Sequence, residues 1–480
     1  MSNSPSIVWF RNDVRIHDNP ALAAACAEDG PIILVYILET NAARPKGAAS
    51  NWWLHHSLEQ LAAVVDRKGG RLLLRTGDAK SVLQELCAET KAKAVYWNRR
   101  YDAGEREIDA TIKTSLKNAG VDAQSFNGSL LIEPWEAKTG SGVFYRVFSP
   151  FWKNLKKIGL SRDGVHDAPG SLNTGANDLY SDDLRDWRLL PSNPNWAAAF
   201  SETWRPGEAG ANERLDHFLS GPVNDYGDGR NRPDCEFTSR LSPHLAFGEI
   251  SPNEIWRRTH YAIDNGSIDP KAGDKFLSEI AWREFSYNLL YHYADISSKP
   301  IKPEFEAFEW DDNPSFLTAW QKGETGYPIV DAGMRQLWKT GWMHNRVRMI
   351  AASFLTKDLF VPWQDGEAWF WDTLVDADPA NNSASWQWVA GCGADAAPYF
   401  RIFNPVTQGE RYDPDGAYIR EYIPALKNLP SKHIHAPWLA PEDVLSDAGI
   451  TLGETYPEPI VDHKRMREIA LERYQAIKDN

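Results

Sequence analysis

Between Ile7 and Phe126 the chain alternates short apolar runs with helical patterns. Ile7–Phe10, Pro31–Leu38, Arg71–Arg75, Ala94–Trp97 and Val121–Phe126 read as strands. Ala21–Ala27 (opened by Asn19-Pro20), Trp53–Arg67, Lys80–Glu89 and Glu105–Asn118 read as the helices between them. The first two strands are apolar without alternation, which is the pattern of strands buried on both faces. Strands spaced by helices of this length require crossover connections, so the region is expected to be an α/β domain, Rossmann-like, with a doubly wound parallel sheet. The Gly-x-Gly-x-x-Gly fingerprint does not follow the first strand, so this sheet lacks the usual dinucleotide loop.

From about Ser161 to Gly210 the composition turns to Gly, Asn, Asp, Ser and Pro with weak periodicity, the signature of a long connection. Beyond Asn212 nearly every segment reads as helix, for example Glu213–Leu219, Pro252–Ile263, Asp274–Tyr293, Pro328–Lys339 and Asn345–Lys357. The expected division is an α/β domain over 1–130, a linker over 131–211 and an all-α C-terminal domain over 212–480, ending in one charged helix over Val461–Asn480. A chain of 480 residues has room for such a division. No apolar run approaches the roughly 20 residues of a membrane span, and the N-terminus lacks a secretory pattern. Cys26, Cys87, Cys235 and Cys392 are far apart, which speaks against a zinc site, a cluster or a disulfide framework and fits a reducing cytoplasm; no metal is expected.

The net charge of −14 argues against an indiscriminate nucleic-acid binder. Residues 332–357, however, carry Arg335, Lys339, Arg346, Arg348 and Lys357 with no acidic residue, which suggests one basic surface. Of 21 tryptophans, eleven fall between Trp256 and Trp388; most are expected to be core rings, and only those within a motif invite another role.

Four stretches carry chemistry. In Asp376–Asn404, Asp378 suits an N-cap and Pro379 the first helical position, and spacing of four then aligns Asp378, Asn382 and Trp386 on one face. An acid, an amide and an indole stand where a core helix would carry Leu or Ile. Thr238-Ser239-Arg240-Leu241-Ser242-Pro243 combines hydroxyls and a guanidinium before a helix expected to start with Ser242 at N-cap, which is a candidate phosphate cradle. Glu279, Trp282 and Arg283 share a face at i, i+3 and i+4, and so do Asn345, Arg348 and Met349. Each is also compatible with capping, packing or a solvated ion-paired face when taken alone.

Taken together, from Val8-Trp-Phe-Arg-Asn-Asp-Val-Arg15 to about Trp438, the chain closely resembles the DNA photolyase and cryptochrome family. The resemblance implies a flavoprotein that binds FAD in the helical domain and repairs UV-damaged DNA. Reduced FAD passes an electron to a flipped-out cyclobutane pyrimidine dimer, which splits and returns it; base flipping by photolyases is general knowledge of that class. It places the FAD pyrophosphate at Thr238–Ser242 with Tyr226 and Arg230 upstream, and the flavin beside Arg283, Asn345, Arg348, Asp376, Ala377, Asp378 and Asn382. Asn382 falls where photolyases put an Asn facing the flavin N5, a position at which plant cryptochromes carry Asp. Trp386, Trp363 and Trp310 match the electron-relay triad. Glu279, Trp282, Asn345 and Met349 match residues that reach the lesion, with Arg230, Arg346, Trp388 and Gln408 towards the DNA. Glu279, if buried beside Trp282, would have a raised pKa and could donate to the dimer as well as accept from it.

Within the family, Arg44-Pro-Lys-Gly47 and Trp52-Trp-Leu-His-His-Ser-Leu58 resemble class III photolyases and plant cryptochromes. Gly104-Glu105 replaces the Asn-Glu of class I folate binders, whereas Arg11 and Asp102 resemble antenna residues of deazaflavin-type members. Methenyltetrahydrofolate is the favoured antenna and 8-hydroxy-deazaflavin the alternative. The expected protein is a cytoplasmic monomer that acts on damaged DNA and contacts no membrane. The alternatives are a cryptochrome-type blue-light photoreceptor, disfavoured by Asn382 and the lack of a C-terminal extension, and a (6–4) photolyase, which needs a His pair where this chain has only His344.

Overall fold

The computed structural model describes residues 4–158, 165–175 and 178–478. Residues 159–164 and 176–177 of the expected connection, and 479–480 of the expected last helix, lie outside the described residues. The chain forms two compact units, one of Met1–Ser220 with Ser239–Ala294 and the other of Gly221–Thr238 with Asp295–Asn480. The helical stretch Ser239–Ala294 clusters with the sheet, a partition that secondary-structure type alone does not anticipate.

In the first unit β1 (Ser6–Phe10), β2 (Ile32–Glu39), β3 (Leu72–Gly77), β4 (Ala94–Asn98) and β5 (Asp122–Phe126) form one parallel sheet in the order β3-β2-β1-β4-β5. Trp9 on the central strand pairs in register with Val35 on one side and Trp97 on the other. The strands are joined by α1 (Pro20–Cys26), α2 (Ala48–Arg67), α3 (Ala79–Thr90) and α4 (Ala103–Asn118). Their starts follow from capping: Asn19 accepts from the Leu22 N–H, Asp78 from Ser81 and Asp102 from Gly104. One face of the sheet is sealed by Leu83, Leu86, Ile112 and Leu116 against Ile7, Trp9, Val35 and Val95. Helix α2 starts five residues before the expected Trp53, because Ala48–Trp52 continue its buried face. Helix Pro270–His292 anchors the chain that leaves the sheet: the Glu284 carboxylate accepts from Leu131 and Ile132 N–H at 2.6 and 3.3 Å, and Asn288 donates to the Tyr145 carbonyl.

The second unit is helical. Its helices Pro314–Lys322, Pro328–Thr340, Asn345–Lys357, Trp363–Thr373 and Pro379–Ala390 surround a core that includes Val347, Phe354, Leu355, Trp320, Phe370 and Trp386. Asn313-Pro314, Asp378-Pro379 and Asn404-Pro405 repeat one start signal, a side-chain cap followed by a residue that has no N–H to satisfy. The final helix runs His463–Lys478. Among the described residues no helix is long and apolar enough to cross a membrane.

The basic stretch is not one surface. Lys357 is 1% exposed; it follows Ser353 and Phe354 on the buried face of its helix, and its amine donates to the Arg401 carbonyl at 3.3 Å. Burial pushes that amine down to about 7 from 10.5. The unfolded chain therefore holds the proton more tightly, and native stability falls as pH drops from about 10.5 to about 7, by at most ~1.4 kcal/mol per pH unit. Its buried neighbour Asp358, raised to about 6 chiefly by desolvation, acts below this window. Lys357→Met should thus stabilise the protein more at pH near 7 than at pH near 9 in urea unfolding. An equal gain at both would contradict the buried amine.

Candidate functional site

Helix Pro379–Ala390 is set by Asp378, whose Oδ1 accepts from the Ala380 and Asn381 N–H groups at 3.0 and 2.7 Å. One turn on, Asn382 is buried and its Nδ2 donates to the Glu367 carbonyl at 2.9 Å. With the nitrogen so engaged, the amide oxygen is the group left to accept. Glu367 is itself 2% exposed and its carboxylate accepts from the Ser383 hydroxyl at 3.1 Å. This residue was not singled out in the sequence, since nothing in its spacing ties it to a partner fifteen positions away.

A further turn on, Trp386 is buried with its ring edge-on to Phe370 at 5.0 Å and to Trp320 at 6.1 Å. Gly366 gives it room: a Cβ there would lie 2.1 Å from Trp386 Cη2 and 2.7 Å from Leu355 Cδ2. Trp363 opens the helix that carries Glu367 and Gly366 and is fully buried. Trp310 is half-buried in an irregular segment, 4.5 Å from Phe308 between ring centroids. All three matched indoles belong to the second unit.

On helix Asn345–Lys357, Arg348 donates to the Met343 carbonyl at 2.7 Å and to Asp376 Oδ2 at 2.8 Å. The other Asp376 oxygen, Oδ1, is buried with no hydrogen-bond partner among the described residues. Such an atom is costly to bury unless a donor meets it, by about 1–3 kcal/mol. Asn345 is exposed, with Met349 3.9 Å from its amide nitrogen. Arg346 donates to Asn231 at 2.7 Å and lies over the Tyr412 ring. Burial first, and then the charges of Arg230 and Arg411, push its guanidinium below the usual range, with Tyr412 opposing. These three arginines form a positive cluster that an anion would relieve. Arg230 in turn covers Tyr226, 5.6 Å from its ring centroid. Ala377, Trp388 and Gln408 are half-buried.

In the first unit, Ser242 is not a cap. The short helix Ser242–Ala246 takes Leu241 at that position with no side-chain cap, and the Ser239 hydroxyl accepts from the Leu241 N–H at 3.4 Å. Pro243 at the helix start and Arg240 at φ 51 turn the chain here. A non-glycine residue in this region carries strain and is often tied to function. Thr238 ends the neighbouring unit. Glu279 is also not buried as expected. Its carboxylate is part-exposed and accepts from Lys275 at 2.7 Å, because a lysine one turn earlier reaches it from solvent. Trp282 stacks on Phe148 at 3.8 Å and 9°. Arg283 points to the chain after the sheet, donating to the Ser129 carbonyl at 2.8 Å and to Glu284 at 3.1 Å.

Arg11 is closed on Asp109 by two hydrogen bonds of 2.7 and 2.9 Å, and Arg100 joins Asp109 and Glu39. Buried ion pairs thus occupy the C-terminal edge of the sheet, where open α/β folds commonly hold ligands. Asp102 serves as the cap of α4. His55, His56 and Glu59 on α2 bring potential metal ligands within 4.8 Å, a grouping already accounted for by the Glu59 carboxylate pairing with both rings.

The chain matches the family model for DNA photolyase over residues 6–169 and that for the FAD-binding domain of DNA photolyase over residues 276–476. It belongs to the DNA photolyase family. It is 50% identical to the deoxyribodipyrimidine photo-lyase of Agrobacterium fabrum over 100% of this chain and 99% of that one. The crystal structure of a bacterial class III photolyase from Agrobacterium tumefaciens superimposes with a TM-score of 0.97, covering 100% of this chain and 99% of the other at 50% identity. Arabidopsis thaliana cryptochrome-2 is more distant, 37% identical over 97% of this chain and 78% of its own length. The expected class III-like family and fold class are borne out. The donor set fits FAD: an orphaned buried carboxylate oxygen on Asp376, whose other oxygen is held by Arg348, and an amide oriented by Glu367 suit the polar edge of a flavin.

Gly366→Ala tests how tightly the Trp386 site is packed. The added methyl must displace the indole or Leu355, so we expect destabilisation of about 1–3 kcal/mol together with altered near-UV dichroism. An unchanged melting temperature and spectrum would contradict this packing.

Proposed function

We propose that this chain is a light-driven cyclobutane pyrimidine dimer photolyase of the class III type, its helical region 212–480 catalytic and its region 1–130 carrying an antenna. The observation that carries the reading is the helix Pro379–Ala390, which presents a buried, oriented amide at Asn382 and a buried indole at Trp386 one turn apart. FAD, when bound, supplies the photoexcited electron donor.

The chain's own residues do the rest. Asn382 offers an uncharged acceptor to the flavin N–H edge, because its nitrogen is committed to Glu367. Asp376 meets a donor of the flavin with its unpartnered oxygen while Arg348 holds the other. Ala377, Asp378 and Arg283 flank the ring; Tyr226 and Thr238–Ser242 hold the pyrophosphate, a use that accounts for the strained Arg240. Arg230 and Arg346 neutralise DNA phosphates, and the acidic remainder of the surface limits binding elsewhere. Asn345 donates to and accepts from the flipped dimer, Met349 packs on its methyls and Trp282 on its ring, while Trp388 and Gln408 border the DNA. Glu279, paired with Lys275, acts as an acceptor for dimer N–H groups and not as a buried acid. Trp386, Trp363 and Trp310 would form the path of indoles by which electrons reach the flavin when it is bound.

The antenna is methenyltetrahydrofolate. Closure of Arg11 on Asp109 and use of Asp102 as a cap leave the deazaflavin-type residues committed. A cleft of about 690 Å³ in the first unit, lined by His55, Arg188, Leu190, Pro191 and Trp196, is of a size for a small organic ligand.

Repair assays on synthetic DNA should show light-dependent reversal of cyclobutane dimers and none of (6–4) products, since the stretch Gly341–Met349 carries one His, His344, where that chemistry needs a pair. Glu279→Ala should lower repair more than it lowers binding to undamaged DNA. Equal losses would make Glu279 structural, and (6–4) reversal would overturn the substrate. Separately, Trp363→Phe should abolish photoreduction of oxidised FAD while chemically pre-reduced protein still repairs. Loss of repair in the pre-reduced variant would remove Trp363 from the relay.

A further inference from the structure

Trp310 lies between a 3₁₀ turn at Pro303–Ala307 and the helix Pro314–Lys322, in a segment with no regular hydrogen bonding of its own. What holds this segment comes from elsewhere in the chain. Arg473, on the last helix His463–Lys478, donates to the Glu309 carbonyl at 2.7 Å and grips the Asp311 carboxylate at 2.9 and 3.3 Å. The residues on either side of the indole are thus clamped by one guanidinium. The fork is itself braced, lying 4.1 Å over the ring of fully buried Phe360. Phe360 has φ 54, an uncommon strain for a bulky residue, and in that conformation its carbonyl accepts from the Asp311 N–H at 2.8 Å. Arg473, Asp311 and Phe360 therefore close a ring of contacts around the backbone of Trp310.

We propose that Arg473 is a positioning residue for photoreduction: through Glu309 and Asp311 it fixes Trp310 as the surface end of the electron path. The inference rests on the proposed relay. In that relay the Trp310 indole loses one electron towards Trp363, the electron ends on the flavin, and a soluble thiol reductant refills the indole. Transfer between indoles falls steeply with separation, so a Trp310 free to wander would lose the contest with charge recombination. A guanidinium fork holds a carbonyl and a carboxylate from one rigid plane, whereas a lysine ammonium is a compact charge on a flexible stem and fixes their relative position poorly.

The clamp makes a sign prediction that separates position from field. Arg473 and Asp311 carry opposite charges, so a purely electrostatic influence on the indole radical would reverse between Arg473→Ala and Asp311→Ala. Positioning requires that both variants change it in the same direction. Flash photolysis of the FAD-loaded variants should show a several-fold shorter-lived tryptophan radical and several-fold slower photoreduction in both, with Arg473→Lys restoring little. Hydrogen exchange, which needs no flavin, should rise at the 309–312 amides in both. Opposite signs, or unchanged radical lifetimes despite faster exchange, would overturn the proposal. Trp310→Phe is the control on the relay: if it leaves photoreduction intact, the relay reading fails, whereas loss in Trp310→Phe with wild-type kinetics in Arg473→Ala fails the clamp alone.

Discussion

The Asn382 side chain is buried, and its nitrogen donates to the Glu367 carbonyl 2.9 Å away. This bond engages the amide nitrogen and leaves the oxygen to accept, on a side chain that carries no charge. It depends on two helices meeting in one register. Asp378 fixes the start of helix Pro379–Ala390, and the Ser383 hydroxyl ties that helix to the Glu367 carboxylate of helix Trp363–Thr373. Gly366 then lets the Trp386 ring lie against the partner helix. Cap, amide, carboxylate, glycine and indole form one connected contact, so a change to any of them shifts the others. In the proposed function this contact sets both the redox character of the flavin site and the first step of the electron path.

The first unit has a different logic. Its sheet is closed by apolar faces and by the buried charges of Arg11, Arg100, Asp109 and Glu39 at the strand ends. Lacking the glycine fingerprint and carrying these ion pairs, the edge that serves dinucleotides in many α/β folds is committed to structure here. The same unit contributes helix Pro270–His292, with Glu279 on it.

Much of this was legible in the sequence because it rests on local rules. The five strands follow from short apolar runs spaced by helical patterns, and the helix starts at Asn19 and Asp378 follow from cap-proline pairs. Resemblance places Arg348 and Asp376 in one neighbourhood, and they meet in a hydrogen bond of 2.8 Å. What escaped was non-local. Lys357 reads as surface charge but lands on a buried face because its helix packs on both sides near its end. Glu279 reads as a buried acid, yet Lys275 reaches it. Leu241 displaced Ser242 as the cap because Arg240 turns the chain one residue earlier. Glu367 and Arg473 carry no motif at all, and their roles exist only once distant segments meet.

The central claim is that the uncharged amide at residue 382 keeps the bound flavin fully reduced. Asn382→Asp tests it most directly, since the carboxylate places a like charge beside the anionic reduced ring and sets an acceptor against the Glu367 carbonyl to which the amide donates. Absorption spectra of the FAD-loaded variant, illuminated under reductant, should show oxidised or partly reduced flavin persisting where the parent protein becomes fully reduced. Full reduction at the parent's rate and extent would contradict the account.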